Sequence, residues 1–149
     1  MSIELGALTS TRTDEQSATP ASRATNGVLR GLTAAGVLLS ADVHLYLWAT
    51  GFKDIHVIGP LFLLNAIAGL VIGVVLLVWN HWLPAFLSAG FGAATLAAFY
   101  ISVTRGLFGL HEVAGGTQQV LAEVAEWVAL VGGAALFLLL IRPVLTHHR

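Results

Sequence analysis

Five polar side chains stand inside long apolar stretches of this chain: Asp42, Asn65, Tyr100, Glu123 and Glu126. A carboxylate surrounded by apolar sequence is a candidate for holding a proton, a cation or a polar ligand group, because an ionisable residue in a membrane segment carries a large desolvation cost. Asp42, Asn65 and Glu126 fall roughly 4–6 Å to one side of the midpoints of their segments, counted at about 1.5 Å per helical residue. Tyr100 lies a little further out, and Glu123 stands one helical turn beyond Glu126. No Lys or Arg interrupts the apolar segments away from their ends, so these acids have no evident counter-ion. They can equally form a hydrogen-bonded network that specifies helix pairing, since such bonds contribute about 0.6–2 kcal/mol in a membrane.

A second set is imidazole-based. His44, His56, His111 and Glu112 share one end of the predicted bundle, and imidazole with carboxylate suits zinc, copper or iron. Their spacing matches no HxxxH, HExxH or ExxH pattern, and loop histidines are more often simply solvated. His44 also sits two residues from Asp42, about 200° around a helix, so the two cannot both face the axis of one small bundle. The expectation is that Asp42 turns inward with the Gly31, Ala35 and Leu38 stripe. His44 then faces an interface or a partner, with Thr33, Ser40 and Trp48.

The elements that must position these residues are four apolar runs at about 28–49, 58–78, 83–104 and 120–141. Each has the ~20 residues needed to cross the hydrocarbon core. The chain is 56% hydrophobic and 10% charged, with a mean hydropathy of +0.83. Soluble domains carry about 25% charged residues, so the solvent expected here is a bilayer. The fold class that follows is all-α: a four-helix antiparallel up-down transmembrane bundle, 27–149, behind a flexible, disordered cytoplasmic tail, 1–26. Pro60 and Pro84 sit in opening turns, and Trp79 and Trp82 bracket a tight hairpin between the second and third runs. The 105–119 connection is long for a helix–helix loop.

Small residues recur at fourfold spacing: Gly27, Gly31 and Ala35; Gly69 and Gly73; Ala89, Ala93 and Ala97; Ala125, Ala129 and Gly133. Such stripes allow close helix approach, and each predicted polar residue falls on or near one of them. Arg12, Arg23, Arg30, Arg142 and Arg149 lie on one side of the membrane, against Lys53 and Arg105 on the other. The positive-inside rule then places both termini in the cytoplasm and the protein in the plasma membrane.

Several classes are excluded. With no cysteine there is no disulfide, thiolate metal site or iron–sulfur cluster, and a net charge of −1 leaves no nucleic-acid footprint. No phosphate-binding loop, GxSxG elbow or dinucleotide fingerprint occurs, so no catalytic residues are assigned.

The run HLYLWATGF, followed by IGPLFLLNAIAG, resembles the uncharacterised small four-helix integral membrane proteins of actinobacterial type, across Gly27 to Arg142. In architecture alone the chain also resembles DoxX-like proteins. The resemblance implies four spans and a plasma-membrane location, and it implies no activity.

The leading functional expectation is a non-enzymatic accessory or interaction subunit, with the lipid bilayer and either a membrane-complex partner or a second copy as its contacts. The alternatives are a proton, cation or solute carrier using Asp42, Asn65 and Glu126, and a metal- or haem-binding redox component. No cofactor is expected under the first two readings.

Overall fold

The computed structural model describes residues 20–106 and 116–146. Four helices follow one another: α1 (Pro20–Leu47), α2 (Ile58–Val78), α3 (Trp82–Arg105) and α4 (Thr117–Thr146). Each contains a stretch long and apolar enough to cross a bilayer. The protein is a multi-pass integral membrane protein with an all-α, four-helix bundle fold. Arg23, Arg30 and Arg142 lie at the end where α1 begins and α4 finishes, and Lys53 and Arg105 at the other. α1 is already helical at Pro20, ahead of the predicted span that opens at about 28. Residues 1–19 of the predicted tail, and His147 and His148, lie outside the described residues.

Local chemistry sets the helix ends. α1 runs into a π-helical turn, Trp48–Phe52, closed by the Lys53 N–H donating to the Trp48 carbonyl at 3.0 Å. The Thr50 hydroxyl donates back to the Tyr46 carbonyl at 2.8 Å, a bond that loosens the helical ladder where this turn begins. The chain then doubles back so tightly that a Cβ on Gly59 would lie 2.5 Å from the Lys53 carbonyl oxygen and 2.7 Å from that of Phe52. Only glycine fits there. At the opposite end, His81 caps α3: its Nδ1 accepts from the Leu83 N–H at 3.2 Å, and its ring stacks on Trp79.

The bundle is closed at one end and open at the other. α1 packs along α2 and α4, and α4 along α3, whereas α2 and α3 touch least of the neighbouring pairs. Near the 79–81 turn, Ala34, Leu76, Ala85 and Leu136 form a continuous core from all four helices. A second layer of Val37, Phe91 and Ala129 follows, with Ala68 and Ile72 against it. Beyond that layer α2 and α3 diverge, and the core gives way to a cleft.

Backbone approach holds α4 in place beneath the cleft. A Cβ on Gly92 would meet the Glu126 carbonyl oxygen at 2.5 Å and the Leu130 nitrogen at 2.7 Å. One turn away the buried Ser88 hydroxyl donates to the Ala129 carbonyl at 3.0 Å. These contacts fix the rotation of α4 and hence the direction of the Glu126 side chain.

Candidate functional site

The inward stripe of α1 consists of Thr33, Val37 and Ser40, all fully buried, with His44 continuing it half-buried. The expected assignment of the two faces of α1 is therefore reversed. Asp42 is exposed, as is Ala35, and nothing lies within 4 Å of where a Gly31 Cβ would stand. The physical reason is that Ser40 and His44 on one stripe meet the Glu126 carboxylate of α4 inside the bundle, Ser40 by a hydrogen bond. The small residues opposite are equally well solvated by lipid.

Glu126 is the partner of that stripe. It is 2% exposed, the one buried charged side chain among the described residues. The buried Ser40 hydroxyl donates to Glu126 Oε1 at 3.3 Å. His44 Nδ1 lies 2.8 Å from the Ser40 carbonyl oxygen, which can only accept, so Nδ1 carries a proton and donates. That orients Nε2 toward Glu126 Oε1, 3.9 Å away. The gap is too long for a direct hydrogen bond and too short for a water lying in line between the two atoms. A group entering from one side reaches both.

Such a side exists. A cleft of about 370 Å³ opens between α2 and α3, with His44, Glu123 and Glu126 at its floor. Its walls are chiefly apolar, including Leu61, Leu64, Ala94 and Ala98, all of them exposed toward the bilayer. Asn65 projects into the same space from α2, and its buried Nδ2 has no hydrogen-bond partner among the described residues. An orphaned amide donor in an apolar wall is a costly arrangement, and it is relieved when an acceptor arrives. Toward the loop end the cleft is bounded by aromatic contacts. Phe62 lies against His44 at 5.2 Å between ring centroids and stacks on Phe52 of the π-helical turn at 4.7 Å.

The remaining predicted residues divide. Tyr100 is exposed on α3 and donates its hydroxyl to Glu123 Oε1, which ties α3 to α4 beside the cleft. Ala93 and Ala97, the stripe expected to pack beneath Tyr100, are exposed as well. Ala85, Ser88, Gly92 and Leu96 form the buried face of α3 instead. Asn65, Glu123 and Glu126 come together in one space; Asp42 does not join them. The three-residue carrier site of Asp42, Asn65 and Glu126 is thus not assembled.

His44 is in the interior and His56 is exposed in the turn before α2. His111 and Glu112 lie outside the described residues. Among the described residues no three His, Asp or Glu side chains converge as metal ligands. Sequence reasoning missed the roles of Ser40 and Phe62, and it missed Thr95, which lines the cleft from α3. The signal for Ser40 was present as a polar stripe, Thr33, Ser40 and His44, at helical spacing.

No family model, curated protein or solved structure matches the chain. Fold and site together define an integral membrane protein whose helices enclose a laterally open, polar-floored cleft.

Proposed function

We propose that the protein acts by binding rather than by catalysis, as a non-enzymatic accessory subunit of the plasma membrane with both termini in the cytoplasm. Its ligand is a membrane-soluble small molecule with an apolar body and one cationic or hydrogen-bonding group, held in the α2–α3 cleft. The observation that carries this reading is the convergence of the unpartnered Asn65 amide and the buried Glu126–His44 pair on one apolar space.

The chemistry is complementary in each part. The apolar walls take the body of the ligand, and a volume of about 370 Å³ falls at the lower end of the roughly 300–1,000 Å³ seen for small-molecule sites. Glu126 Oε1 and His44 Nε2 accept from a donor or face a cation, while Asn65 Nδ2 donates to an ether, hydroxyl or carbonyl oxygen. A lateral opening between α2 and α3 lets such a molecule enter from the bilayer. The excess of Arg in the segments flanking the start of α1 and the finish of α4 supports the cytoplasmic orientation.

The test uses the full chain in lipid nanodiscs and a fluorescent long-chain alkylammonium, compared with the matching alkyl alcohol and hydrocarbon. Saturable binding of the ammonium is expected, about tenfold weaker in Glu126→Gln, the loss of one interaction of about 1.4 kcal/mol. Equal binding of all three probes, or equal affinity in Glu126→Gln, overturns the reading.

A further inference from the structure

Asp42 has no role in the cleft, yet it is a carboxylate that the fold leaves facing outward within the apolar span. It lies in a groove of about 300 Å³ on the outer surface of α1 and α2, among Leu38, Leu45, Ala66, Ile67 and Leu70. Ala66 and Ile67 are near the middle of α2, so the carboxylate stands at mid-span. It is exposed, and it has no hydrogen-bond or ion-pair partner among the described residues. His44 faces the bundle interior, and the nearest Lys or Arg side chains along α1 and its continuation are Arg30 and Lys53, roughly 18 Å and 16 Å away along the helix axis. Both sit at opposite ends of the span, where long side chains reach toward the membrane surfaces.

We propose that this face docks a transmembrane helix of a partner protein that carries a lysine or arginine at mid-span, paired with Asp42. Charge complementarity selects the partner. An unpaired carboxylate in hydrocarbon is matched most strongly by a basic group delivered by another helix. The surface beside it allows the approach: Gly31 and Ala35 continue the Asp42 stripe toward the other end of α1, with Ala35 exposed and open space beside Gly31. Small residues there let a second backbone come close. A second copy of this chain is the poorer occupant. A two-fold pairing sets Asp42 against Asp42, and no described span carries Lys or Arg at this depth. The inference stands independently of whether the cleft takes a ligand.

The chain has no cysteine, so one introduced thiol reports on one surface. Full-length protein with Ile67→Cys is reconstituted with synthetic Leu-Ala transmembrane peptides that carry a terminally flanked cysteine and either Lys or Leu at the central position. The Lys peptide is expected to form the mixed disulfide at least tenfold faster than the Leu peptide. Asp42→Leu should abolish the difference, Asp42→Glu should retain it, and Glu126→Gln should leave it unchanged. Thermal melting of each variant in detergent identifies any that fails to fold, and Asp42→Asn then replaces Asp42→Leu. Equal rates for the two peptides overturn the proposal. So does Ile67→Cys homodimer formation that outcompetes the Lys peptide, which assigns the face to a second copy.

Discussion

Asp42 and Glu126 are both carboxylates set about halfway across the membrane, on helices that pack against each other, and their surroundings are opposite. Glu126 is 2% exposed, accepts from the Ser40 hydroxyl and faces His44 across 3.9 Å. Asp42, two residues beyond Ser40 on the same helix as that hydroxyl, is exposed on the far side with no partner. A rotation of about 200° along α1 separates the two environments. The contrast teaches that a polar residue in a membrane helix is placed by what the other helices offer it. Glu126 meets Ser40 and His44 within the bundle's interior, whereas Asp42 is left to whatever meets the outer surface.

The largest perturbation expected is one that removes the framework of the inner site. Gly92→Leu would force side-chain atoms into the α4 backbone at Glu126 and Leu130. It should destabilise the bundle by about 3 kcal/mol, seen as loss of monodisperse protein and an early transition in denaturant titration. Next, and opposite in sign, Asp42→Leu should stabilise the isolated protein by about 2–3 kcal/mol, since a charged group at a helix centre carries roughly that insertion cost. Its melting temperature should rise while alkylammonium binding stays unchanged. A fall in stability would show that Asp42 already has a partner.

A smaller effect is expected at the contact that links α1 to α4. Ser40→Ala removes a buried donor from Glu126 and should cost about 1 kcal/mol, with weaker alkylammonium binding because the carboxylate is no longer held in position. The smallest is Ala35→Leu. That position is exposed, so its stability should change by less than about 0.5 kcal/mol. Measured beside Ala129→Leu, a fully buried position on α4, it shows which small residues pack.

The four spans, the tight 79–81 turn and the grouping of Asn65 with Glu126 could all be read from apolar run lengths and depth. Helix rotation could not. In α2 and α4 the small residues do mark the packed face, because Gly69, Gly73, Ala129 and Gly133 are buried. In α1 and α3 they do not: Ala35, Ala93 and Ala97 face outward while Thr33, Ser40 and Ser88 face inward. Alanine is indifferent between lipid and protein, so its periodicity carries little information about direction. Ser40 and Ser88, whose hydroxyls donate to α4, are the better guide here. The cleft itself was not legible, because it depends on how far α2 and α3 splay from their turn.

The most direct test of the central claim is the affinity of the long-chain alkylammonium for full-length protein in nanodiscs, measured for wild type, Glu126→Gln and Asp42→Asn. Binding should be saturable, about tenfold weaker in Glu126→Gln and unchanged in Asp42→Asn. Equal loss in both variants, or none in Glu126→Gln, would contradict the assignment of the inner carboxylate to the ligand and the outer one to a neighbouring helix.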